Sequence, residues 1–197
     1  MVEGCKSKHH AKGYCGKHYA QLLRCGHIKE RTTFDKNNFS IYDSYAEMYI
    51  YNVDSKIIAV VKIDIDDIEK IKKYKWCLSS YGYPISCING RNISLHRFLL
   101  NPNDDRVVDH INGDTLDNRR SNLRICTQQE NSMNKKMNSN NTSGVKGVHW
   151  CKNANKWRAK IQVDGKEKHL GLFSNLEDAK KARELAEEKY YGEYNRK

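Results

Sequence analysis

VVDHINGDTLDNRRSNLRICTQQENSMNKK, residues 107–136, closes an apolar run on Asp109-His110, with Asn122 twelve residues past that histidine and Asn131 nine beyond it. RVVDHIN reads as a strand and SNLRIC as its antiparallel partner, joined by the polar loop GDTLDNRR. TQQENSMNKK reads as a short helix, with Thr127 as N-cap and Glu130 three residues on completing a capping box. A β-loop-β-helix unit of this kind is expected to bring Asp109 and His110, at the end of one strand, near Asn131 on the helix. Asn122, opening the second strand, is placed to pin the loop between them.

These residue types suit hydrolysis of a phosphodiester. Water is a poor nucleophile, and an imidazole titrating near neutrality can take its proton. Charge that develops on the phosphate and the departing oxygen is stabilised by a hard divalent ion. A carboxylate and an amide oxygen are suitable ligands for Mg²⁺ or Mn²⁺. His110 is therefore assigned as general base, Asp109 and Asn131 as metal ligands, and Asn122 as the orienting residue. An isolated Asp-His pair would more simply be a turn residue beside a surface histidine; here Asn122, Asn131 and the Thr127–Glu130 capping box accompany it.

LHRFLL followed by VVDHINGDTLDNRRSNLRICTQQEN resembles the HNH endonuclease domain of the ββα-metal class, in the branch typical of phage and intron-encoded homing endonucleases. In that family the first His is the base, the middle Asn is structural and the last His or Asn binds metal, which maps here onto His110, Asn122 and Asn131. Asn in the last position implies an all-oxygen Mg²⁺ site. For His96 and Arg97 the resemblance implies packing and phosphate contact, and a plain helix-surface reading stands beside it.

Upstream, residues 41–94 read as short strands. AEMYIYN and KIIAVVKI flank the turn-like VDS, and YPISCINGRNISL is a hairpin around Asn89-Gly90. Between them Ile68, Ile71 and Tyr74 recur at helical spacing, with Asp66 or Asp67 as N-cap. Asp64, Asp66 and Asp67 could be imagined as a metal site, but acids opening a helix are favoured by its dipole, and capping is the reading adopted.

The first 30 residues hold Cys5, Cys15 and His18 in a C-x9-C-x2-H arrangement. Zinc takes four N/S ligands, and C-x2-H lets two come from one turn. The fourth is His10, His9 or Cys25. The segment resembles the small zinc-finger-like element that often precedes HNH domains, and it is too short to fold on a core of its own. Cys77, Cys87, Cys126 and Cys151 are scattered and read as small buried apolar residues.

After the linker 137–142, residues 143–194 give three strands, VKGVHWCK, KWRAKIQV and EKHLGLF, with a tight turn at Asp164-Gly165. A helix follows, with Ser174 and Glu177 as capping box. Trp157, Ala159, Ile161 and Val163 alternate with Arg158, Lys160 and Gln162, so one face packs on the helix and the other is free for a partner. The G-V, K-W-x-A-x-I, L-G-x-F and E-D-A elements resemble the plant ethylene-response-factor (Apetala-type) DNA-binding domain. That resemblance implies a sheet lying in the DNA major groove, with Lys146, His149, Lys160, Gln162 and His169 as contacts and Arg158 on the same face.

The formal net charge is +11 over 197 residues, and it is uneven: +5 in residues 1–40, −1 in the middle and +7 in residues 135–197. Two cationic ends suit a chain that grips a polyanion at both flanks. Seven cysteines without an export signal argue against a disulfide framework, and no apolar run approaches a membrane span. The expectation is an intracellular, monomeric α+β chain of several modules: zinc-binding segment 1–30, β-rich region 41–94, HNH nuclease 95–136 and DNA-binding domain 143–194. Its expected function is site-directed nicking of double-stranded DNA with Mg²⁺ or Mn²⁺, with Zn²⁺ as structural ion. The alternative is a non-enzymatic DNA-binding regulator carrying an inactive HNH scaffold; RNA cleavage or DNA repair is a weaker third.

Overall fold

The structure, a computed structural model, describes residues 5, 7–28, 31, 35–103, 105–134, 137 and 140–194. The ends of the expected zinc segment and part of the expected linker lie outside them. A two-stranded ribbon, β1 (His9–Ala11) and β2 (Tyr14–Cys15), turns at Lys12-Gly13 and runs into α1 (Gly16–Cys25). Gly26 ends that helix in the left-handed conformation, φ 72°, and donates its N–H to Leu22 O at 2.9 Å.

Next come two antiparallel three-stranded sheets. The first is β3 (Phe39–Ile41), β4 (Ala46–Tyr51) and β5 (Ile57–Ile63), in that spatial order. Alternation buries Ala46, Met48 and Ile50 from β4 and Ala59, Val61 and Ile63 from β5 on one face. A 3-10 turn (Ile65–Asp67) and the one-turn α2 (Ile68–Ile71) lead to the second sheet, β6 (Cys77–Leu78), β7 (Pro84–Ile88) and β8 (Arg91–Ser94). The β7–β8 turn is Asn89-Gly90, as its residues require, both with positive φ.

Two expectations are corrected here. The periodic run from Ile68 to Tyr74 does not stay helical, because the Ile71 carbonyl accepts the Tyr74 N–H at 3.1 Å and the Trp76 indole N–H at 2.9 Å. Nor does Asp66 or Asp67 make a side-chain cap. Asp67 is buried and holds the Arg120 guanidinium at 2.7 and 3.0 Å, while Asp64 accepts the Arg120 backbone N–H at 2.7 Å. The cysteine reading also needs revision, since Cys77 and Cys87 are exposed. Cys87 follows the outward phase of β7, whose Pro84, Ser86 and Ile88 point inward, and Cys77 pairs with Ile85 on that outward phase.

The central stretch forms α3 (Leu95–Leu100), β9 (Val107–His110), β10 (Leu123–Cys126) and α4 (Gln128–Met133). β9 and β10 pair antiparallel, Leu123 opposite His110 and Arg124 opposite Asp109. Thr127 and Glu130 make both bonds of the capping box. One hydrophobic core joins this hairpin to the upstream sheets: Val108, Leu123, Leu95 and Leu99 pack with Met48, Ile50, Val61, Ile71 and the fully buried Trp76. Residues 41–94 and the hairpin thus share an interior.

The last unit is an antiparallel sheet of β11 (Val148–Cys151), β12 (Lys156–Val163) and β13 (Lys166–Phe173), covered on one face by α5 (Leu176–Tyr191). The cap of α5 is Asn175 rather than Ser174. The Asn175 side chain accepts the Asp178 N–H at 2.8 Å and donates to the Asp178 carboxylate at 2.7 Å, so one asparagine does the work expected of a two-residue box. Gly147, φ 73°, lets the chain pass where a Cβ would sit 2.5 Å from Lys160 O and 2.6 Å from Arg183. This unit packs against α4: Met133 joins the Ile161, Val163 and Tyr191 cluster, Gln129 donates to Asp164 at 2.9 Å, and the Arg124 guanidinium lies 4.4 Å from the Tyr194 ring.

Candidate active site

His110 ends β9, and strand alternation sends its side chain to the face opposite that of Asp109. On the His110 face, α3 presents His96 edge-on at 5.0 Å between ring centroids, Tyr83 stands at 6.1 Å, and Asn118 Oδ1 lies 3.4 Å from His110 Nε2. On the other face Asp109 meets its cross-strand neighbour Arg124, whose Nη2 and Nε donate to Oδ2 at 2.8 and 3.0 Å. Asn134, the residue that ends α4, donates its amide to both Asp109 oxygens at 3.0 and 2.9 Å and to the His110 carbonyl at 2.9 Å. Asn131 is half-buried on the same helix. His110 and Asp109 are 5% and 7% exposed.

Asn122 works within the loop. Its oxygen accepts the Asn112 N–H at 3.0 Å, and its amide donates to Asn112 Oδ1 at 3.0 Å and Asp117 O at 2.8 Å. The loop is also strapped to the upstream sheets. Lys62 N–H donates to Leu116 O at 2.9 Å, Asn118 N–H returns to Lys62 O at 2.8 Å, and the Thr115 hydroxyl donates to Gly82 O at 2.8 Å. Asp117 forms a bidentate pair with Arg119, which holds its carboxyl below the usual range. Sequence reasoning missed Arg124, Asn134, Asn118 and Arg120. Of these only Arg124 carried a legible signal, as the cross-strand partner that the hairpin register gives Asp109.

Burial lowers the affinity of His110 for a proton, against an opposing effect of the Asn118 contact and of Asp109, Asp114 and Asp117. It acts more strongly on His96, which is pushed down to about 3 by burial and by the neighbouring His110 and Arg97. The unfolded chain takes up a proton at residue 96 below about pH 6.5, whereas the folded chain refuses it until about pH 3. The stability contributed by neutral His96 is complete above pH 6.5 and is lost progressively as the pH falls toward 3. Denaturant melts from pH 7 to 4 are expected to fall less steeply for His96→Gln than for the wild type. Parallel curves would exclude His96 as a source of the acid lability.

The second cluster lies at the N-terminus. Cys5 Sγ is 3.7 Å from Cys15 Sγ, which is 3.3 Å from His18 Nδ1, and all three ligand atoms fall within 4.8 Å of one another. Those separations suit a tetrahedral zinc ion. Cys15 is the N-cap of α1, and the His18 backbone N–H leads the contacts that lower its thiol pKa. None of the three expected fourth ligands joins the group. His10 packs its ring on Tyr19 at 5.8 Å, His9 Nε2 accepts the Gly13 N–H at 2.9 Å, and Cys25 is the last residue of α1.

On the open face of β11–β13, His149 stands opposite Arg158 and Lys160 opposite His169. Gln162 shares that face, as does Glu167, which pairs with Lys160 at 2.6 Å. Lys146 is elsewhere: its ammonium donates to Met133 O at the end of α4, at 2.7 Å. Among the described residues, no helix is long and apolar enough to cross a membrane.

Residues 102–133 match the model of an HNH endonuclease family. An uncharacterized HNH endonuclease of Acanthamoeba polyphaga mimivirus is 31% identical over 172 residues, 84% of this chain and 87% of that protein. Protein 3.8 of Escherichia phage T7 is 42% identical over 70 residues, 36% of this chain and 58% of that one. No solved structure matches the chain. With a relative that similar over nearly its whole length and the family model lying on α4 and the hairpin, the chain belongs to the HNH endonuclease family.

Proposed function

We propose that the chain is a site-directed DNA endonuclease of the homing type that nicks one strand by metal-assisted hydrolysis. The observation that carries this reading is the placement of an imidazole and a carboxylate on consecutive residues, His110 and Asp109, at the end of β9, where the hairpin is buried between α3 and α4, in a chain of this family. His110, kept neutral at pH 7 by burial, accepts the proton of the attacking water. Asp109 and Asn131 hold Mg²⁺ or Mn²⁺, and Asn122 fixes the loop between base and ligands.

The donor set suits a hard ion. Beside the Asp109 carboxylate, Asn134 Oδ1 is a buried amide oxygen with no hydrogen-bond partner. When bound, the ion neutralises charge developing on the phosphate and the leaving oxygen. Arg124 already occupies one Asp109 oxygen, so ion binding and that pair compete. Cys5, Cys15 and His18 hold structural Zn²⁺. The basic ends and the open face bearing His149, Arg158, Lys160, Gln162 and His169 grip the DNA. Lys146, the remaining expected contact, also steadies the junction between this unit and α4. With one catalytic metal site per chain, a monomer cuts one strand per encounter, inside a host cell as the viral and phage relatives suggest.

The rival, a regulator with an inert nuclease scaffold, draws on the burial of His110 and the ion-paired state of Asp109. To separate the two, DNA retained by the full chain from a randomised library is cloned into supercoiled plasmid and incubated with the protein and Mg²⁺. Open-circle product at the selected site is the expected result. Tight binding with the plasmid left supercoiled would favour the regulator.

A further inference from the structure

Asn118 is fully buried, and two of its groups are tied to carbonyls. Its backbone N–H donates to Lys62 O at 2.8 Å, and its side-chain Nδ2 donates to Thr115 O at 3.0 Å. A carbonyl oxygen only accepts, so the nitrogen of this amide must be the atom facing Thr115 and the oxygen the atom facing His110. That oxygen lies 3.4 Å from His110 Nε2. An amide oxygen cannot donate, so the contact is a hydrogen bond only when Nε2 carries the hydrogen. A neutral imidazole has one N–H, which leaves the lone pair on Nδ1.

We propose that Asn118 is the positioning residue of the general base: by accepting the Nε2 hydrogen of His110 it selects Nδ1 as the nitrogen that takes a proton from water. This rests on the reading of His110 as base. The separation is longer than a strong N–H···O bond, so Asn118 orients the ring and biases the tautomer without locking it. The aim of Asn118 is set from outside the nuclease stretch. Lys62 of β5 holds its backbone, the Thr115 hydroxyl is fixed on Gly82, and Arg120 is clamped by Asp64 and Asp67. The upstream sheets thereby reach the chemistry through one asparagine.

The test reads the imidazole directly. Nitrogen-15 NMR of the full-length protein at pH 7.5, with the His110 signals assigned by their loss in His110→Gln, reports which ring nitrogen bears hydrogen. The wild type is expected in the Nε2–H form. Asn118→Leu, which removes the acceptor at similar volume, is expected to shift the ring toward Nδ1–H. It should also slow nicking by about 10- to 100-fold, the cost usual for partners that orient metal-ligating histidines and carried over here to the base, with DNA affinity unchanged. Asn118→Asp keeps an acceptor toward His110 while losing the bond to Thr115 O, and is expected to keep the tautomer.

A wild-type ring in the Nδ1–H form overturns the proposal without any variant having to fold, and so does an unchanged tautomer in a folded Asn118→Leu. The two readings fail separately. If cutting requires His110 while its ring is Nδ1–H, only the role of Asn118 falls. If the ring is Nε2–H and responds to Asn118→Leu but no protein cuts DNA, the positioning stands and the endonuclease reading falls.

Discussion

Replacing His110 with alanine is expected to lower the single-turnover rate of DNA cutting by about 10²- to 10⁴-fold, the contribution ordinarily made by a positioned acid or base. Affinity for the uncut site should stay within a few-fold. The asymmetry follows from placement. His110 is buried behind the hairpin against His96, Tyr83 and Asn118, and the groups proposed to grip DNA lie on the sheet of β11–β13 and the basic ends. Single-turnover gels and a filter-binding titration in Ca²⁺ separate rate from affinity. A fall in both by the same factor would mean that the substitution damages the fold or the DNA surface rather than removing a base.

The second large effect concerns residues 5–28. Two short strands and the ten-residue α1 contribute nothing to the hydrophobic clusters among the described residues, and isolated helices of that length are marginal in water. If Cys5, Cys15 and His18 hold zinc as proposed, the ion supplies the folding energy, on the order of 10–16 kcal/mol for zinc held in such small units. Cys15→Ser, or a strong chelator, is expected to remove bound zinc and to melt the β1–β2–α1 segment while the core around Trp76 keeps its melting temperature. Metal analysis and proton-exchange NMR check this. A Cys15→Ser protein that keeps the protection of α1 would show that the segment folds without metal. The His18 backbone N–H at the start of α1, with the Cys5 contact, lowers the pKa of the Cys15 thiol, which favours the thiolate form that binds metal.

What could be read beforehand was what local chemistry encodes. The β9–β10 pair, the Asn89-Gly90 and Asp164-Gly165 turns, the Thr127–Glu130 box and the alternation of β12 depend on neighbours within a few residues, and all are present. The Ser174 box failed because two good caps stand side by side and Asn175 can also bind the Asp178 carboxylate. The helix expected through Tyr74 failed because Trp76, buried by the shared core, takes the Ile71 carbonyl.

In the candidate site the motif residues were visible and their partners were not. Asp67 and Arg120 are 53 residues apart in sequence, and Lys62 meets Asn118 across a similar gap. No period or cap reports a pair of that kind. Asn134 was overlooked beside Asn131 because both stand in the stretch read as one short helix, and only the turn at its end decides which amide faces Asp109. Lys146, expected as a DNA contact by its place in a family pattern, also donates to Met133 O at the end of α4, a bond no local pattern announces.

Arg124 pairs with Asp109 at 2.8 Å, so under the proposed metal role of Asp109 an incoming ion has to compete with that pair. On a plasmid carrying the selected site, cleavage by the full chain is to be measured as Mg²⁺ is raised from zero, withdrawn with EDTA and restored in excess. Open-circle product that appears with saturating Mg²⁺, stops in EDTA and resumes on restoration is the expected result. Cleavage undiminished in EDTA, or no cleavage at any Mg²⁺ or Mn²⁺ concentration by protein that still binds the site, would contradict the assignment of Asp109 and His110 to metal-assisted hydrolysis.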